Sequence, residues 1–145
     1  MRIVIVNGPN LNWLGRRQPE IYGDLGLGAI NDRIRDAVSQ EVEVDFFQAN
    51  GEGELIDILQ AQADICQGIV LNPGAYGHYS LGLADALSAL PVPVIEVHLT
   101  NVFAREEYRQ RHVTAGACQG YICGLGWQGY ILAVQALLDY DEEGD

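Results

Sequence analysis

The chain opens on Arg2-Ile3-Val4-Ile5-Val6, a β-branched run that stops at the turn formers Asn7-Gly8-Pro9-Asn10 and reads as a strand. Between Ala29 and Gln40, Ile30, Ile34, Ala37 and Val38 recur at helical spacing. Val42, Val44 and Phe46 alternate with polar neighbours and give a second strand. Leu55, Ile58, Leu59 and Ala63 share one face of a helix over Glu54–Ala63. Gly68-Ile69-Val70-Leu71 is a short, wholly apolar strand ending at Asn72-Pro73-Gly74. A helix over Ser80–Leu90 stops at Pro91 and Pro93, Val94–Val97 is a fourth strand, and Gly120–Cys123 is a fifth. Gly129–Leu138 is a last helix. Gly15, Pro19, Gly23, Gly26 and Gly28 mark a long, mobile loop after the first strand.

Five short apolar strands alternating with helices describe a parallel sheet covered on both faces. The expected fold is α/β, a flavodoxin-like doubly wound five-stranded sheet of order 2-1-3-4-5, in one domain over residues 1–145. Ligands of such sheets bind beyond the carboxyl ends of the strands. The acidic stretch 139–145 reads as a frayed, solvated end. The helix Tyr130–Leu138 is apolar nearly all round, which points to an oligomer contact or to close cover by its own chain.

Composition narrows the function. A chain of 145 residues, 48% hydrophobic and 19% charged, suits one globular domain and excludes a disordered or fibrous protein. No apolar run approaches the ~20 residues of a membrane span, and the first run is too short for a signal peptide, so a cytoplasmic protein is expected. Cys66, Cys118 and Cys123 form no CxxC pair and read as buried thiols of a reducing compartment. A net charge of −12 argues against nucleic acid as a partner. All 8 basic residues are arginine. Without lysine there is no Schiff base, no pyridoxal phosphate chemistry, no P-loop and no receiver domain of the CheY type.

Three polar clusters follow strands one, three and four. They are Asn10, Arg16, Arg17 and Tyr22; Asn72 to Ser80, with His78; and Glu96 to Asn101, with His98, Arg105 and Arg109. Topology brings them to one crevice, and its arginines suit a small anionic ligand held by bidentate contacts against the overall negative field. Ser80 by itself reads as a helix N-cap. His78, His98 and Asp85 lack metal-ligand spacing, and no metal is expected. Gly124-Leu125-Gly126-Trp127-Gln128-Gly129 spells GxGxxG, but the chain lacks the following strand and acid that a dinucleotide needs. These glycines read as close helix–strand packing.

The residues resemble the type II 3-dehydroquinate dehydratases. The opening motif is Ile5-Val6-Asn7-Gly8-Pro9-Asn10-Leu11-Asn12 with Gly15, Arg17 and Pro19-Glu20-Ile21-Tyr22-Gly23. Asn72-Pro73-Gly74-Ala75 with His78, Ser80 and Asp85-Ala86-Leu87 resembles the second motif. Glu96-Val97-His98, Asn101 and Ala104-Arg105-Glu106-Glu107 with Arg109 resemble the third. Gly124-Leu125-Gly126 with Gln128-Gly129-Tyr130 resembles the C-terminal signature, so the likeness runs from about Ile3 to Leu138. It implies elimination of water from 3-dehydroquinate to 3-dehydroshikimate without a cofactor, in aromatic amino-acid synthesis or quinate breakdown. Tyr22 would be the general base, His98 the general acid, Arg17 the stabilising cation, and Asn10 would hold a water against the enolate. Asn72, Gly74, Ala75, His78, Leu99, Thr100 and Arg109 would bind substrate. Asp85 would contribute across a subunit contact in a homododecamer built as a tetramer of trimers.

Physical chemistry supports these roles. Free tyrosine has a pKa near 10, so about 0.1% is ionised at pH 7. One arginine charge ~4 Å away at an effective dielectric of ~20 contributes about 4 kcal/mol, roughly three pKa units. Desolvation opposes it, so a second cation is expected, and Arg105 is the candidate. Glu96, two residues before His98 on one strand, shares its face and would orient the imidazole; the alternative is an ion pair with an arginine. The glycine-rich loop carries Arg17 and Tyr22 and would close as a lid. Gln18, Tyr79, Ala84 and His112-Val113-Thr114-Ala115 depart from the family pattern, none at a proposed acid or base. They leave open a homologue that binds a related polyol carboxylate without turnover, and a flavin-binding module is the remaining alternative.

Overall fold

The computed structural model describes residues 1–142. Strands β1 (Arg2–Asn7), β2 (Glu43–Gln48), β3 (Gly68–Asn72), β4 (Val94–His98) and β5 (Gly120–Cys123) form one parallel sheet of order 2-1-3-4-5, as expected. Helices α1 (Pro19–Tyr22), α2 (Leu27–Ala37), α3 (Glu52–Ala63), α4 (Leu81–Ala89) and α5 (Gln128–Glu142) connect or cover it. Among the described residues, no helix is long and apolar enough to cross a membrane.

Alternation along the strands feeds two cores. Ile3 and Ile5 of β1 pack with Val70, Val97, Ile30 and Ile34 of α2, and Tyr130, Val134 and Leu137 of α5. Val4 and Val6 face the other way, among Ile69, Leu71, Leu55 and Leu59 of α3, and Leu83 and Leu87 of α4. Central strands β1 and β3 are therefore apolar through their middles, because both faces are buried. The polar alternation of Val44 and Phe46 belongs to β2, an edge strand whose residues are exposed or half-buried, and Val42 lies just before it.

Two local expectations are corrected. The glycine-rich loop is not structureless: Pro19 starts the short helix α1, whose preorganised φ suits a first helical turn, and α2 already begins at Leu27. The stretch from Asp139 continues α5 to Glu142, because backbone hydrogen bonding carries on past the last apolar contact; residues 143–145 of the expected frayed end lie outside the described residues. The apolar α5 buries Tyr130, Ala133, Val134 and Leu137 within its own chain, while Leu132 stays 49% exposed.

The GxGxxG segment packs as expected of tight helix–strand contact. Gly124 and Gly126 take φ of 88° and 60°, and a Cβ on Gly129 would sit 3.2 Å from Val97 of β4. Gly8 does the comparable job at the site. Its N–H donates to the Asn72 carbonyl at 2.7 Å, and a Cβ there would lie 2.7 Å from the Pro73 oxygen. Only glycine lets the loops after β1 and β3 approach this closely.

Candidate active site

β1 and β3 are neighbours whose onward connections diverge, and the cleft lies beyond their carboxyl ends and that of β4. It spans about 480 Å³ and opens to solvent. Asn10, Arg17 and Tyr22 come from the segment after β1; Asn72, Gly74, Ala75 and His78 from the end of β3; and His98, Leu99, Thr100, Arg105 and Arg109 from the end of β4. Pro9, Leu11 and Val102 complete the wall. Sequence reasoning brought almost all of these together.

Some expected residues stand elsewhere. Asp85 is on α4 and does not line the cleft of its own chain. Arg16 lies over the Trp13 ring, 5.5 Å from its centroid, away from the wall. Ser80 caps α4, its hydroxyl accepting from Leu83 N–H at 3.1 Å. Asn101 likewise caps the 3-10 turn Val102–Ala104.

His98 and Glu96 end β4 on one face, and they are paired. His98 Nε2 lies 2.8 Å from Glu96 Oε2, while the other carboxylate oxygen accepts from the Thr114 hydroxyl at 2.5 Å. Glu96 and Thr114 are fully buried, so the pair is walled off from water. Of the two readings of Glu96, the histidine partner is the one observed. The carboxylate accepts a hydrogen bond from Nε2, which leaves Nδ1 as the free nitrogen of His98. His78 is the complement. Its Nδ1 lies 2.8 Å from the Arg111 carbonyl, which can only accept, so Nδ1 carries the hydrogen and Nε2 is free. Burial pushes His78 below the usual histidine range; its carbonyl partner opposes that, and His98, His112 and Arg109 add to it.

Tyr22 ends α1 beneath two cations. The guanidinium carbons of Arg17 and Arg105 lie 4.4 Å and 5.0 Å from its ring centroid. Arg105 is also steered by Thr100, whose hydroxyl accepts from it at 3.4 Å. Arg109 donates to the Glu106 carboxylate and to the Tyr108 hydroxyl. Glu106 therefore aims Arg109, and an anion in the cleft shares that cation with it. Asn10 holds φ at 70°, a left-handed conformation that asparagine tolerates better than most residues.

Three neighbours of the site were not foreseen. Thr114, His112 and Tyr121 of β5 stand around Glu96 and His98, with His112 5.6 Å from His78 and 6.5 Å from His98, centroid to centroid. Burial, then the charge of His98, lowers the His112 pKa. No local pattern marks Thr114, because its partner is 18 residues away. Tyr130 is different: a tyrosine in an otherwise apolar helix must find a partner for its hydroxyl, and this signal was present. Among the described residues, no group of three or more His, Cys, Asp or Glu has the spacing to hold a metal ion.

Fold and site together define a doubly wound α/β protein with an arginine-lined cleft carrying a phenol and a carboxylate-backed imidazole. Residues 1–138 match the family model described as dehydroquinase class II, and the chain belongs to that family. A protein of Carboxydothermus hydrogenoformans named 3-dehydroquinate dehydratase is 53% identical over 100% of this chain and 95% of its own. The crystal structure of type II dehydroquinase from Butyrivibrio crossotus superposes with a TM-score of 0.91 at 44% identity, covering 94% of this chain and 97% of that one. The type II dehydroquinase of Propionibacterium acnes gives 0.87 at 38% identity, covering 94% of each chain.

Proposed function

We propose that this chain is a type II 3-dehydroquinate dehydratase that eliminates water through a tyrosinate base and a histidine acid. The observation that carries the reading is the meeting, in one cleft, of Tyr22 under Arg17 and Arg105 with His98 backed by Glu96. The Tyr22 phenolate takes the proton α to the substrate ketone, leaving an enolate. Arg17 supplies positive charge to the phenolate and then to the transition state. A water held by Asn10 donates to the enolate oxygen. The enolate then collapses, the carbon–oxygen bond to the leaving hydroxyl breaks, and His98 delivers a proton from Nδ1. Donation from that nitrogen requires the imidazolium, whose counter-charge is Glu96. One proton is taken and one given, water departs, and no oxidant or reductant is consumed.

The same reading assigns the substrate contacts. Arg109 meets the substrate carboxylate, shared with Glu106. Asn72, His78, Thr100 and the backbone around Leu99, Gly74 and Ala75 meet the hydroxyls and carboxylate. The reading extends to a homododecamer, a tetramer of trimers, in which Asp85 serves a neighbouring subunit. Exposed Tyr79, Leu81, Phe103 and Tyr108 offer apolar surface for such contacts. We place the protein in the cytoplasm, where its three free thiols persist. Purified protein mixed with 3-dehydroquinate should raise the near-ultraviolet absorbance of the conjugated enone product, and sedimentation should return the dodecamer. A wild type that binds the ligand by calorimetry yet makes no enone supports instead the non-catalytic homologue.

A further inference from the structure

A polar relay runs from the cleft to the end of β1 on the sheet face that α5 covers. The Gly74 N–H donates to Asn72 Oδ1 at 3.1 Å. Asn72 Nδ2 donates to the Tyr130 hydroxyl oxygen at 2.9 Å, and that hydroxyl donates to Asn7 Oδ1 at 2.5 Å. Tyr130 is fully buried on α5, and Asn7 and Asn72 are 1% and 3% exposed at the paired ends of β1 and β3. The direction of the bonds at Asn72 is determined. A backbone N–H can only donate, so Asn72 must present its oxygen to Gly74 and its nitrogen to Tyr130. Tyr130, having accepted from Asn72, has its hydrogen free for Asn7 Oδ1, and the Asn7 Nδ2 is buried without a partner. Burial pushes the Tyr130 phenol above the usual tyrosine range, so it stays a donor.

We infer that Tyr130 is a positioning residue for the dehydration: it locks the Asn72 amide so that the second Nδ2 hydrogen is presented to the cleft. Asn72 lines that cleft, so it meets the substrate as a donor to an acceptor oxygen, and the amide cannot turn over to accept from a hydroxyl. This rests on the dehydratase reading for its substrate, though the relay itself does not.

Tyr130→Phe keeps the ring and removes both of its bonds. The expected result is a KM for 3-dehydroquinate raised about tenfold, with kcat changed less than about threefold, the loss of one well-placed hydrogen bond. In an Asn72→Ala background the same substitution should leave KM unmoved, a coupling that a general loss of packing would not give. Unchanged KM in Tyr130→Phe, or an equal effect in both backgrounds, overturns the proposal. If Tyr130→Phe does not fold, Asn7→Leu removes the acceptor at the end of the relay and should raise KM less, again only when Asn72 is present. If the wild type makes no enone, the dehydratase reading falls by itself. The relay is then decided by the Asn72 side-chain amide in nitrogen-labelled protein: slow proton exchange lost in Tyr130→Phe keeps it, and equal exchange overturns it.

Discussion

The base and the acid sit on opposite kinds of scaffold. Every residue of β4, which carries Glu96 and His98, is buried, and the His98 ring is tied to Glu96, itself tied to Thr114. The α1 helix, which carries Tyr22, is four residues long and buries none of them. It is entered through Gln18 at φ 36° and left through Gly23 at φ 87°, two left-handed residues flanking one turn. Tyr22 lies between Arg17 and Arg105 and packs, only half-buried, against the edge of the core. An acid that must point a single nitrogen gains from rigidity. A base that must also admit substrate gains from a segment with little core to disrupt when it moves.

Mutations on the two sides should separate activity from stability. The largest effect should come from Tyr22→Phe, which should lower kcat by about 10³- to 10⁴-fold, the upper end for a general base, with a melting temperature near wild type. A variant that loses activity only a few-fold would remove Tyr22 from the reaction. Glu96→Gln comes next: it keeps volume and a hydrogen bond but removes the counter-charge, so kcat should fall roughly 10- to 100-fold. The pH profile of kcat should also shift, and an unshifted profile would make Glu96 a packing residue only. Thr114→Val should act mostly on stability, costing about 1–3 kcal/mol by leaving a buried carboxylate oxygen unpaired, with a few-fold loss of kcat. Denaturant unfolding beside turnover would check both halves.

The smallest effect concerns pH. Burial lowers the pKa of His78 and of His112, so the folded chain binds fewer protons than the unfolded chain just below pH 6.5. Stability should therefore fall as pH drops through 6.5, levelling once the folded values are passed. The slope is at most about 1.4 kcal/mol per pH unit for each group. Unfolding of His112→Gln between pH 7.5 and 5.5 should show a shallower fall than wild type. Parallel curves would dismiss His112 as a contributor.

Much of this site could be read along the chain because its parts are local. Glu96 and His98 face one way by strand periodicity, and three polar clusters at three strand ends had to converge once the sheet order was known. Arg17 and Tyr22 lie five residues apart within one motif, so the ring under a guanidinium was foreseeable, and Arg105 as the second cation followed from the charge it had to supply. The short helix inside the glycine-rich loop was hidden because its glycines outweighed the single favourable signal of Pro19.

By itself, then, the sequence determined the parallel α/β sheet and its order, the exclusion of lysine chemistry, and the set of residues around the cleft. These depend on periodicity, composition and spacing, all of which act within short stretches of chain. Only the tertiary structure decided which groups support the working ones. Thr114 reaches Glu96 across 18 residues, and Tyr130 reaches Asn7 across 123. A buried hydroxyl must find a partner, but that requirement does not say which partner. The choice is made when packing brings α5 against the ends of β1 and β3, and no local pattern records that distance.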